Sequence, residues 1–235
     1  GSSAASDVYK RQDLHKRNIL MIGVDEVGRG SWAGPLVSTA CWFDFTKYKS
    51  LHSEINDSKK LKSSKRREII LSLDNFVKYS SSIASVEEID KYGLSYANAI
   101  AMKRSIFSLI QELRNTQTHK NKDFCIYLDG KFKPNFENLD NFLQLKKLDL
   151  NCNLVQTLVK GDSISKTIAL ASIISKETRD TIMRQLSKRH PSYLFDCHFG
   201  YGTNDHINAI LKNGVLDLHR KSFKPIATIY SKKIK

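Results

Sequence analysis

Two adjacent carboxylates, Asp25 and Glu26, close the apolar run Ile19-Leu20-Met21-Ile22-Gly23-Val24 and lead directly into Val27-Gly28-Arg29-Gly30. A short run so rich in apolar residues reads as a buried strand. Such a strand does not end in two negative charges without a positive group to compensate them. Gly28 and Gly30 let backbone N–H groups approach a ligand closely, and the Arg29 guanidinium suits phosphate. Acid pair, bare backbone and arginine at one strand end describe a site for metal and phosphate.

A second segment repeats the pattern, with Phe124-Cys125-Ile126-Tyr127-Leu128 running out into Asp129-Gly130. Alone, such an aspartate reads as a turn residue. Two strands of one sheet that each end in acid bring carboxylates within reach of one another, where like charges need a cation. Asp180 is a fourth candidate, on a long helical pattern, with a surface ion pair to Arg179 as its alternative. Four carboxylates supply hard oxygen ligands, which select Mg²⁺ or Mn²⁺ over zinc. Two such ions about 4 Å apart can activate a water and stabilise the leaving oxygen of an in-line phosphoryl displacement.

Other residues suit a polyanion. Lys59 and Lys60 open the densest positive cluster, Ser58 to Arg67, which is either a solvated helix face or a contact to a phosphate backbone. Lys160-Gly161-Asp162-Ser163 precedes the long helical pattern, and helix-start N–H groups with the Ser163 hydroxyl fit a phosphate. Tyr201 lies between Gly200 and Gly202, and an exposed ring that stacks on a sugar or base needs that clearance. His190, His198 and His206 recur every eight residues, which fits no single helix face, and zinc is not expected there.

The net charge of +14 on 235 residues points to a polyanionic partner, nucleic acid ahead of an anionic membrane surface. No apolar stretch approaches the roughly 20 residues that span a bilayer. The four cysteines are widely spaced and read as free thiols in a reducing cytosol rather than disulfides or a zinc site. A cytoplasmic monomer is expected. Residues 1–17 read as a disordered or appended leader, and 18–235 as a single catalytic domain with a helical C-terminal region.

The elements that must position these groups follow from periodicity. Strands are expected over 19–24, 35–43, 76–83, 124–128 and 152–155, and helices over 59–73, 98–113, 164–186 and 205–211. Strands first, then helices and strands mixed, imply an α/β domain with a central mixed β-sheet flanked by helices.

Together these segments resemble type 2 ribonuclease H, specifically the bacterial-type ribonuclease HII. The matching stretches are Asp25-Glu26-Val27-Gly28-Arg29-Gly30 with Ala33-Gly34-Pro35, Asn56-Asp57-Ser58-Lys59-Lys60-Leu61, and Leu128-Asp129-Gly130. They continue through Lys160-Gly161-Asp162, Ala171-Ser172-Ile173-Ile174-Ser175-Lys176 with Arg179-Asp180, Gly200-Tyr201-Gly202-Thr203 and His219-Arg220-Lys221-Ser222-Phe223. The resemblance implies an RNase H-like fold and metal-dependent cleavage of RNA in RNA–DNA hybrids and at ribonucleotides embedded in duplex DNA. Products would carry 3′-hydroxyl and 5′-phosphate ends. By position, Asp25, Glu26, Asp129 and Asp180 would be the catalytic, metal-binding carboxylates. Gly28, Arg29 and Gly30 would read the ribose 2′-hydroxyl, and Tyr201 would stack on the following deoxyribose.

Three positions depart from the family pattern: Phe199 where a lysine is common, Ser31-Trp32 after the glycine loop, and Glu177 one turn from Asp180. Two other readings fit parts of the sequence. A non-catalytic nucleic-acid-binding module would bind without divalent ions and gain nothing from acids near phosphates. A dinucleotide enzyme is disfavoured because Gly28-x-Gly30-x-x-x-Gly34 is not G-x-G-x-x-G, and acids at that turn would repel a pyrophosphate.

Overall fold

Strand β1 (Ile19–Val27) lies at the centre of a five-stranded sheet with β2 (Leu36–Phe43), β3 (Val77–Ala84), β4 (Asp123–Asp129) and β5 (Val155–Leu158), in the order β3-β2-β1-β4-β5. The computed structural model describes residues 19–50, 55, 61–73, 75–120, 122–130, 155–161 and 165–233. β1 pairs antiparallel with β2, Glu26 opposite Ser38, and parallel with β4, Val24 opposite Leu128. That register brings the acidic ends of β1 and β4 side by side.

The helices are α1 (Ser63–Leu71), α2 (Val86–Tyr92), α3 (Leu94–Arg114), α4 (Lys166–Arg189), the short α5 (Phe195–His198), α6 (Asn204–Asn213) and α7 (Lys224–Lys233). Side-chain alternation along β1 sends Leu20, Ile22 and Val24 to one face, where they pack with Met102, Ile106, Leu109 and Leu113 of α3. Ile22 and Val24 are fully buried, each worth about 2 kcal/mol. The opposite face receives α4, and Gly23 shows how closely: a Cβ there would come within 2.5 Å of the Ile168 backbone nitrogen. A glycine in mid-strand is required by that approach.

The third layer of core is C-terminal. Met183, Tyr193, Phe195, Ile210 and Ile226 cluster around the end of α4 and against Ala33, so the C-terminal helices cover the loop that follows β1. Cys41 and Cys125 are buried and Cys197 is exposed. No helix among the described residues is long and apolar enough to cross a membrane.

Differences from the sequence expectation are local. α1 begins at Ser63 rather than 59, residues 56–60 lying outside the described set. α3 begins at Leu94, four residues early, because Gly93 at φ 81° ends α2 and starts α3 in one step. β5 is Val155–Leu158, and 151–154 lie outside the described residues. α2 and α7 were not expected, although Ser85 and Glu88 form a reciprocal capping box at the start of α2.

Candidate active site

Successive residues of a strand point to opposite faces, so Asp25 and Glu26 straddle the end of β1. Asp25 faces the nearby Ser172 hydroxyl of α4, and Glu26 faces Asn98 of α3. Asp129, at the end of the adjacent parallel strand, shares the Asp25 face by register. Asp25, Glu26, Val27 and Asp129 line a cleft of about 330 Å³ with Ser172, Ser175 and Lys176 of α4 and Arg66 of α1.

The electrostatics of this cleft favour added positive charge. Burial, then the neighbouring charges of Glu26 and Asp129, hold the Asp25 carboxyl well above its usual range, against the Glu26 N–H it accepts at 2.8 Å and the Ser172 hydroxyl. Burial also raises Glu26, with Asp129 adding to it and Arg29 opposing through a contact of 3.3 Å. Glu26 Oε2 and both polar atoms of the Asn98 amide are buried without a hydrogen-bond partner among the described residues. Buried polar atoms left unpaired cost free energy, and a bound cation or ligand would satisfy the oxygens among them. Among the described residues the groups lining the cleft that could ligate a cation are all oxygens, with no histidine or cysteine.

Asp129 is fixed by backbone. Its Oδ1 accepts the Gly161 N–H at 2.7 Å, and a Cβ on Gly161 would sit 3.2 Å from the same oxygen and 2.6 Å from Ile168 Cδ1. A side chain at 161 would crowd this contact, so glycine lets the turn after β5 approach Asp129 closely. Among the described residues no three Asp, Glu, His or Cys side chains stand close enough to hold one ion by themselves.

Asp180 is not part of this group, which corrects the expectation of four converging carboxylates. It is 1% exposed, one turn of α4 beyond Lys176, and does not line the cleft. Its Oδ2 accepts from Arg66 Nη2 at 2.6 Å and its Oδ1 from Lys176 Nζ at 2.5 Å. Glu177 belongs to the same network, bound by Ser63 at 2.9 Å and by Arg66 and Arg184. Periodicity gave the helix but not its facing: Asp180 turns toward α1, where Arg66 compensates it. Arg66 and Lys176 are the residues that sequence reasoning missed. The i, i+4 spacing of Lys176 and Asp180 was the available signal.

The glycine loop and the tyrosine turn form one body. Gly28, at φ 95°, lies against the Arg179 side chain, and Gly34, at φ 80°, against Met183 Sδ. A Cβ on Gly30 would meet no atom of the described residues within 4 Å. Fully buried Arg179 donates to Pro35 O at 2.9 Å, Ala33 O at 3.0 Å and Phe199 O at 2.9 Å, tying the two loops together. Its guanidinium also lies 5.5 Å from the Tyr201 ring centre. Arg220, likewise buried, donates to Gly34 O at 2.9 Å and Arg29 O at 3.1 Å. Arg29 itself projects with a side chain 43% exposed. Of the departures, Trp32 fills the space beside Gly202, and the Phe199 ring takes the Lys176 ammonium at 4.7 Å. Lys59, Lys60 and Ser163 lie outside the described residues.

A mixed sheet in this order, sandwiched by helices and carrying acids at the ends of its two central parallel strands, is the architecture of RNase H-like enzymes. The ribonuclease HII family model matches residues 22–226, and the chain belongs to that family. The ribonuclease HII of Ehrlichia ruminantium (strain Welgevonden) is 38% identical over 215 residues, 92% of this chain and 90% of that protein. The ribonuclease H2 of Pyrococcus horikoshii OT3 shares the fold with a TM-score of 0.67 at 22% identity, covering 92% of this chain and 100% of that one. Bst-RNase HIII, in a structure with Mn²⁺, gives 0.68 at 19% identity over 92% and 70% of the two chains. The protein is a ribonuclease H, an endoribonuclease of RNA–DNA hybrids.

Proposed function

We propose that the cleft between Asp25, Glu26 and Asp129 is the hydrolytic centre, and that it acts on single ribonucleotides embedded in duplex DNA as well as on hybrids. The observation that carries this reading is the crowding of carboxylates: buried Asp25 is raised by both Glu26 and Asp129, and Glu26 Oε2 has no hydrogen-bond partner among the described residues. Hard, oxygen-only donors with unspent charge fit Mg²⁺ or Mn²⁺. Asp25, Glu26 and Asp129 would hold the ions. When bound, they would supply an activated water and charge neutralisation at the scissile phosphate.

The protein's own groups do the rest. Lys176 and Arg66 line the cleft together with the acids and bring positive charge to it, which favours a phosphate there. The 28–30 backbone and Arg29 read the ribose and its phosphate, with no described atom crowding Gly30 where the sugar would sit. Tyr201 stacks on the next deoxyribose, and a 2′-hydroxyl there would meet the ring. Lys59, Lys60 and Ser163 are assigned to phosphate-backbone contacts on their residue types and sequence positions.

A fourth carboxylate would come from Asp162 rather than Asp180. Asp162 lies outside the described residues, but it is bonded to Gly161, whose N–H touches Asp129. Asp180 has both oxygens committed to internal cations. Incubating a duplex carrying one ribonucleotide with the protein and Mg²⁺ or Mn²⁺ tests the reading. A nick on the 5′ side of the ribonucleotide, leaving 3′-hydroxyl and 5′-phosphate ends, is expected. Metal-independent binding without a nick would leave the binding-module reading standing.

A further inference from the structure

We propose that His219 and His206 form a hydrogen-bond relay that fixes the Tyr201 backbone, making both histidines positioning residues for the sugar-stacking ring. The inference rests on the reading of Tyr201 given above.

Three histidines from separate segments meet beneath the 199–203 turn: His198 ends α5, His206 lies in the first turn of α6, and His219 follows α6. His206 and His219 are fully buried, among Tyr193, Phe195 and Trp32. The His198 and His206 rings stack at 4.3 Å. In such a cluster a phenylalanine or leucine would pack as well, and an imidazole buried there costs free energy unless its nitrogens are used.

They are used, and in one consistent pattern. A carbonyl can only accept, so His206 Nδ1 carries the proton that it donates to Tyr201 O at 3.0 Å. Neutral His206 then has a bare Nε2, and His219 Nε2–H donates to it at 3.2 Å. That leaves His219 Nδ1 bare, and the Leu216 N–H reaches it at 2.9 Å; the Leu216 carbonyl, at 3.3 Å, is the longer contact. His198 completes the set: its Nδ1 accepts the Gly200 N–H at 3.1 Å, and its Nε2–H donates to Tyr193 O at 2.7 Å. Every ring nitrogen is satisfied with all three rings neutral. Burial keeps them so, pushing His206 and His219 down to about 4.

The relay ends on a turn that needs holding. Phe199, a non-glycine residue, sits at φ 50°, and Gly200 at φ 78°, a conformation with an inherent cost. Tyr201 O accepts both the Thr203 N–H at 2.9 Å and the His206 proton, so the carbonyl is held from two sides. Fixing the carbonyl fixes the peptide plane that carries the ring. The chain Leu216, His219, His206, Tyr201 thus passes from the segment after α6 into the sugar-reading turn.

The tests compare cleavage of a one-ribonucleotide duplex with cleavage of an all-RNA–DNA hybrid of the same sequence. His206→Leu, in folded protein, is expected to lower the ratio of the two rates by about fivefold, the size of one lost hydrogen bond. His206→Asn keeps an amide donor where Nδ1 stands and is expected to restore most of that ratio. A purely structural histidine would lower stability and both rates alike, leaving the ratio in place. An unchanged ratio in His206→Leu, beside a changed one in Tyr201→Ala, overturns the relay. An unchanged ratio in Tyr201→Ala places the failure in the reading of Tyr201 and removes the relay's role with it. Should His206→Leu not fold, ¹⁵N spectra of the wild-type imidazoles decide: the relay requires protons on His206 Nδ1 and His219 Nε2. A His206 protonated on Nε2 contradicts it.

Discussion

Arg66 Nη2 lies 2.6 Å from Asp180 Oδ2, with both side chains buried, and this pair decides what Asp180 does. A carboxylate paired there and with Lys176 holds the two cations that face the acidic cleft; it does not stand among the acids. Asp180→Asn is therefore expected to cost stability, on the order of 3 kcal/mol for a broken buried pair, while keeping cleavage within about tenfold of wild type. Urea unfolding and a Mn²⁺ titration of activity check both parts. A raised metal requirement would return Asp180 to the metal site.

The raised Asp25 carboxyl makes metal binding compete with protons. Because the group sits well above its ordinary value when no cation is bound, a cation competes with its proton. Calorimetry of Mn²⁺ binding in buffers of different ionisation heat should show proton release that grows as the pH is lowered. Release independent of pH would contradict the assignment.

The histidine cluster gives an acid limit to stability. His206 and His219 fall from 6.5 to about 4 on folding, so below pH 6.5 the unfolded chain binds protons that the folded one refuses. Stability is complete above that pH and is lost progressively between 6.5 and about 4. Asp196 and Asp205 draw His198 toward protonation, while His190 opposes protonation of His219. Asp25 works in the opposite sense, so the histidine part is read as a difference. Wild type should lose more stability than His206→Asn between pH 7 and 4.5, and equal losses would refute it.

Gly28 and Gly30 look alike in sequence and differ in space. Gly28 carries φ 95° against the Arg179 side chain, whereas a Cβ on Gly30 would meet no atom of the described residues within 4 Å. Gly28→Ala is expected to destabilise the fold by about 1 kcal/mol or more. Gly30→Ala should leave the melting temperature unchanged and raise KM for the ribonucleotide substrate. Equal melting temperatures for the two variants would contradict this division.

Much of this was legible beforehand where pattern and chemistry coincide. The apolar run into Asp25-Glu26 and that into Asp129-Gly130 announced two strand ends, and α4 appeared from its steps of three and four residues at nearly its true length. What periodicity cannot supply is azimuth, and that is why Asp180 was grouped with the acids although it turns to Arg66. Arg66 was hidden for a related reason: inside a run of lysines and arginines nothing marks the one that is buried. The histidines were opaque because eight-residue spacing relates no common face. Only the fold of the C-terminal segment stacks His198 on His206 and sets His219 beside them.

The hydrolysis is assigned to Asp25, Glu26 and Asp129. Single-turnover cleavage of a one-ribonucleotide duplex by Asp129→Asn, with Mn²⁺ and enzyme in excess, tests it most directly. A rate at least about a thousandfold below wild type is expected, with duplex binding retained. A variant that cleaves at near wild-type rate would contradict it.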